Sequence, residues 1–106
     1  MNWRVVFSDA AQADLAAIQD YISERAGPAI ATRFVESIVA YCLNLATMPE
    51  RGTRREDLRP RLRTVGYRRR ATIVFEVDHA QHRVAIHGVL YAGRQFEGRR
   101  LEDETD

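Results

Sequence analysis

Two periods of apolar residues divide this chain. Residues 3–7, WRVVF, are a short apolar run rich in β-preferring side chains, and they read as a first strand. Ser8 then stands where a helix N-cap is wanted, with Asp9 in the favourable first turn. Ala11, Leu15, Ile18 and Ile22 follow at spacings of four, three and four, which predicts a helix over about 9–25. Gly27-Pro28 ends that helix and starts another. Phe34, Val35, Ile38, Tyr41, Cys42 and Leu45 carry the second stripe to about Ala46, and Met48-Pro49 stops it. Two helices joined by so short a break form an antiparallel hairpin.

Beyond residue 70 the period drops to two. Ala71, Ile73, Phe75 and Val77 alternate with Thr72, Val74 and Glu76; then Val84, Ile86 and Leu90 alternate with Arg83, His87 and Tyr91. Both segments read as half-buried antiparallel strands, joined across 78–82 and preceded by another near Leu62–Val65. The predicted architecture is α+β in the order β-α-α-β-β-β. An N-terminal strand and a helical hairpin precede a three-stranded antiparallel sheet, one face of which stays open. A single domain over 1–97 with a polar tail at 98–106 is expected, with no repeat or linker. On the open face the alternation gathers Arg68, Arg70, Thr72 and Glu76 from one strand and Arg83, His87 and Tyr91 from the next, with Arg94 just beyond.

Charge sharpens this picture. The net charge of +1 hides a stretch, RGTRREDLRPRLRTVGYRRR, whose nine arginines and two acids give +7, against −6 for the remainder. A dipole of that size favours oriented encounter with a polyanion or an acidic protein segment. Every basic residue is arginine, which makes bidentate contacts with carboxylate and phosphate that lysine cannot. No apolar run approaches the ~20 residues that span a bilayer, the first residues lack a secretory pattern, and one cysteine cannot form an internal disulfide. A cytoplasmic protein without membrane contact is expected.

The open face admits a chemistry. Glu76 or His87 as base, Arg70 as phosphate clamp, and His87 or Tyr91 as acid would together suffice to cleave RNA at a ribose 2′-OH. The same residues also suit the solvated side of a one-sided sheet. His79, His82 and His87 are not at ligand spacing, so no metal is expected. No glycine-rich phosphate loop is present, and no cofactor is expected. Cys42 lies in an apolar stripe and reads as core.

Three segments, in order, resemble the RelE/ParE superfamily of toxins from bacterial type II toxin–antitoxin modules. FSDAAQADLAAIQDYISERAG is similar to the opening-helix pattern A-x-x-D-L-x-x-I-x-x-Y-I. LATMPERGTRREDLRPRLRTVGYRRRATIVFEV resembles the connection L-x-x-x-P-x-x-G-x-x-R-x-x-L-R and its following strand. VAIHGVLYAGRQFE resembles the closing strand and its G-R-x-x-E end. The regular hairpin and the opening motif lean toward ParE. That resemblance implies a toxin, not an enzyme, which inhibits DNA gyrase and is neutralised by an antitoxin encoded beside it. The alternatives are a RelE-like, ribosome-dependent mRNA endoribonuclease, alone in touching nucleic acid, or a degenerate toxin that only binds antitoxin and aids operon repression. The antitoxin's C-terminal segment would fold over the toxin, and its carboxylates would meet several of Arg54, Arg55, Arg59, Arg61, Arg63, Arg68, Arg69 and Arg70. Tyr91 and Arg94, at the end of the closing strand, are the candidate contacts to the target.

Overall fold

The structure, a computed structural model, describes residues 3–91. Strand β1 (Arg4–Phe7) leads into helix α1 (Asp9–Ala26). Helix α2 (Pro28–Leu43) follows, with a 3₁₀ turn at Asn44–Ala46. Strands β2 (Thr53–Arg54), β3 (Leu62–Tyr67), β4 (Ala71–Asp78) and β5 (Arg83–Tyr91) complete the fold. Ser8 caps α1 as its type predicts, its hydroxyl oxygen accepting from the Ala11 N–H at 3.0 Å. Gly27 sits at φ 96°, serves as the last cap of α1 and the first of α2, and lets the chain reverse between them. The two helices pack on one face of the sheet around Ile18, Ile38, Ile73, Phe75, Val84 and Ile86, all buried. Burial pushes the Cys42 thiol up to about 12, so it remains protonated and unreactive at neutral pH.

The sheet corrects the expected one. It has five strands in the order β1-β5-β4-β3-β2, not three, and it is mixed. β1 lies parallel to β5, pairing Val5 with Val84 and Phe7 with Ile86. An apolar strand cannot leave its backbone polar groups unpaired, and the long connection between β1 and β5 permits the parallel pair that a short hairpin would not. β2 extends the other edge through Thr53↔Thr64 and Arg54↔Arg63. Two residues are too few for alternation to show in a sequence. Gly52, at φ 75°, presses so close to β3 that a Cβ there would lie 2.2 Å from the Thr64 carbonyl oxygen.

Two further departures bear on the site. Arg68, Arg69 and Arg70 are not strand residues but form the β3–β4 turn. The Arg70 N–H donates to the Tyr67 carbonyl at 3.0 Å, and Arg68 and Arg69 take φ values of 52° and 59°. The β4–β5 register also shifts between Val74 and Phe75: Phe75 faces Ile86 while Val74 faces Gly88, so β5 carries one extra residue at His87. Past this bulge the parity of β5 reverses. Val89 and Tyr91 join the helix-side core, and Leu90 goes to the outer face with Leu62 and Val74. These three are at most 2% exposed, so the outer face is not the purely polar surface that simple alternation predicts.

Candidate functional site

The outer face holds a three-residue charge cluster. Glu76 stands on β4 between Leu62 of β3 and Ala85 of β5. Its Oε1 lies 3.0 Å from His87 Nε2, and its Oε2 accepts from Arg61 Nε at 3.0 Å and from Arg61 Nη2. Burial alone would raise the Glu76 carboxyl, but the hydrogen bonds from His87 and Arg61 outweigh it and hold it below its ordinary value of 4.5. An ionised carboxylate only accepts, so His87 Nε2 carries the proton in this pair. With both oxygens engaged and its affinity for protons reduced, Glu76 is suited to orienting His87 rather than to taking a substrate proton. Arg61 reaches it from a residue at φ 66°.

A depressed carboxyl pKa stabilises the folded state above the ordinary carboxylate range, and that contribution is lost as pH falls through the folded value. Replacing Glu76 by Gln is therefore expected to flatten the acid side of the stability profile, from about pH 4.5 downward. Melting temperatures of both proteins across pH 2–7 check this; parallel acid limbs would contradict it.

Placement of the other candidates divides them. Tyr91 is only 4% exposed on the helix side of the sheet, its ring 5.7 Å from that of Tyr21 and 5.8 Å from that of Phe34. Its hydroxyl meets Arg70 Nη1 at 3.5 Å. Glu76 and His87 thus come together on one face, while Tyr91 and Arg70 meet at the turn end of the other. The bulge makes this division. Its signal in the sequence is that apolar residues shift from even positions, Val84 and Ile86, to odd ones, Val89 and Tyr91, across His87-Gly88. Arg94 and the tail lie outside the described residues.

The arginines divide as well. Arg54 pairs with Glu56 at 3.4 Å, Arg55 with Asp57 at 3.0 Å, and Arg61 with Glu76. Arg63 Nη1 donates to the Arg51 carbonyl at 3.0 Å. Arg59, Arg68, Arg69 and Arg70 have no carboxylate partner among the described residues, and neither does Arg33 on α2. Near the paired group, Glu50, Arg54, Glu56, Arg61, Arg63 and His79 line a shallow depression of about 200 Å³. His79 Nε2 closes on Glu50 there at 2.9 Å. Of the arginines without a carboxylate partner, Arg68, Arg69 and Arg70 stand together at the β3–β4 turn.

Sequence reasoning missed two positioning residues. Asp14 Oδ2 accepts from the Val89 N–H at 2.8 Å, and the Ser8 hydroxyl donates to the His87 carbonyl at 3.2 Å while the Ser8 N–H donates to the Ile86 carbonyl at 3.0 Å. Helix α1 and its cap thereby hold the backbone of the bulge that aims His87 at Glu76. Asp14 stands at the D of the opening-helix motif, which was the available signal.

Residues 5–96 match the family model described as the ParE toxin of the type II toxin–antitoxin system, parDE. In structure the chain is similar to the chromosomal ParDE toxin–antitoxin system of P. aeruginosa, with a TM-score of 0.72 and 26% identity, over 84% of this chain and 95% of that one. It is similar in fold to the RelBE2 toxin–antitoxin complex of Mycobacterium tuberculosis, with a TM-score of 0.64 and 17% identity, over 86% and 99% of the two chains. A free-state mutant of the E. coli toxin RelE gives 0.65 and 15%, over 98% and 94%. Among curated proteins none matches in sequence.

Proposed function

The chain belongs to the ParE toxin family of type II toxin–antitoxin systems, and from that premise we propose that it arrests growth by inhibiting DNA gyrase until a cognate antitoxin neutralises it. The observation that carries the reading is the family match over nearly the whole described chain, with the 26%-identical P. aeruginosa ParDE structure leaning the same way. The residues are compatible with it. The acid–base candidates are split between two faces of the sheet, and the carboxylate among them is engaged by two donors. An inhibitor that works by protein contact needs no such convergence. The antitoxin half of the reading draws on the unpaired arginines, which suit a segment rich in carboxylates.

A supercoiling assay with purified gyrase and the toxin released from antitoxin tests this. Loss of supercoiling, with cleaved DNA held on the enzyme, is expected. Unimpaired supercoiling from folded protein would overturn it. The Glu76–His87 pair at 3.0 Å favours ribosome-dependent RNA cleavage as the second reading. In that case, removing His87 would cost activity by about 10²–10⁴-fold, as general acid–base groups do. A protein that stops growth in neither way would be a degenerate toxin confined to antitoxin binding.

A further inference from the structure

Helix α2 and its 3₁₀ extension are strongly apolar, with a mean hydropathy of 1.3 over Pro28–Ala46, yet only 22% of that stretch is buried in the molecule. Ile30 is 51% exposed in the first turn. Beside it, Ile30, Phe34, Ser37, Arg33 and Arg68 line a groove of about 260 Å³ between α2 and the β3–β4 turn. The floor is apolar, Ile30 and Phe34, and Phe34 is supported by Tyr67 with ring centroids 6.2 Å apart, as Tyr67 is by Tyr41 at 5.1 Å. The walls are two guanidiniums, Arg33 and Arg68, with no carboxylate partner among the described residues. The Arg68 guanidinium lies over the Tyr67 ring, 5.2 Å from its centroid.

The turn that delivers Arg68 is strained. Arg68 and Arg69, the first two of the three turn residues between Tyr67 and Ala71, both occupy the left-handed region, which Gly and Asn adopt more readily than arginine. Such strain in an exposed turn points to a use for the side chains it presents.

We propose that this groove receives an acidic amphipathic segment of the antitoxin, whose apolar side chains rest on Ile30 and Phe34 and whose carboxylates are taken by Arg33 and Arg68. The inference rests on the antitoxin reading and deepens it. An apolar floor between two cations fits a peptide with both apolar and acidic faces. A phosphate backbone would leave Ile30 and Phe34 unused. It also separates the arginine stretch into parts: Arg54, Arg55 and Arg61 have carboxylate partners within the chain, whereas Arg68, like Arg33 on another element, has none among the described residues.

The probe is the purified antitoxin encoded beside this chain, and its toxin-binding segment as a fluorescein-labelled peptide. Two variants interrogate the groove: Arg33→Gln, and Arg68→Asn with Arg69→Gly. The second relieves the turn and is expected to raise the melting temperature, so weaker binding cannot be blamed on misfolding. Each is expected to weaken binding by about tenfold or more, the loss typical of a charge-assisted contact. Arg4→Gln, at the opposite sheet edge, is expected to bind as the parent does. Changing the peptide's acids to amides is expected to reproduce the loss. Parent-like affinity in both groove variants would overturn the groove while leaving the antitoxin reading intact. A peptide and antitoxin that fail to bind the unaltered toxin would overturn both. Stoichiometric displacement of the peptide by a short oligonucleotide would reassign the groove to phosphate and refute the proposal.

Discussion

Tyr91→Ala is expected to lower the unfolding free energy by about 3–5 kcal/mol, the range for truncating a buried aromatic side chain. Tyr91 reaches both helices from the last strand, against Tyr21 of α1 and Phe34 of α2. Its removal opens a cavity where hairpin and sheet meet. Tyr91→Phe keeps the ring and gives up the 3.5 Å contact with Arg70, at a cost of about 1 kcal/mol. Urea unfolding of the two variants measures both terms. The pair also separates architecture from contact with a target. Should the phenol touch the target, Tyr91→Phe would lose toxicity while keeping most of its stability. Should Tyr91 be a keystone only, toxicity would follow stability and Tyr91→Phe would remain toxic. An Ala variant as stable as the parent would contradict the packing described here.

The position of Tyr91 is also where the sequence misleads most. The two helices, the Ser8 cap, the Gly27-Pro28 break and the strands at 62–67, 71–78 and 83–91 are legible because long runs of one period and specific end residues announce them. The five-stranded sheet is not legible. β1 is a clear strand, but its partner lies some eighty residues away, and nothing local says which edge it joins. β2 has two residues inside an arginine-rich connection and leaves no period at all. The bulge is the third case: one extra residue at His87 leaves the strand intact as a run yet reverses every face after it. Glu76 and His87 precede the reversal and are correctly placed together. Tyr91 follows it and is not. The arginines were legible as a group, since composition alone reveals them, but their division into paired and unpaired depends on contacts such as Arg61 with Glu76, fifteen residues apart. The motif that carries the family resemblance has a structural meaning in this fold. Ile18 and Ile22 are core, Tyr21 meets Tyr91, and Asp14 holds β5.

That last contact supports the second large effect. Asp14→Ala is expected to destabilise the fold by about 2–3 kcal/mol, more than an ordinary half-buried polar substitution, because it removes a charged acceptor and strands the Val89 N–H beside the bulge. β1 pairs with β5 only as far as Ile86, and beyond that point Ser8 and α1 supply partners along this edge of β5: Ser8 to Ile86 and His87, and Asp14 to Val89. Without Asp14 the Val89 amide has water as its main substitute, and the segment that fixes both His87 and Tyr91 loses its tie to the helix. Hydrogen exchange locates the effect: Val89 is expected to lose protection beyond the global fall in stability, whereas amides of α2 lose only the global share. Asp14→Asn retains a carbonyl acceptor without the charge and is expected to cost about 1 kcal/mol. A loss below about 0.5 kcal/mol in Asp14→Ala, with Val89 protected as before, would mean that the cross-strand ladder holds the bulge unaided. The larger loss would mean that the helix motif fixes the register of the last strand, and with it which residues of β5 face the helices and which face outward.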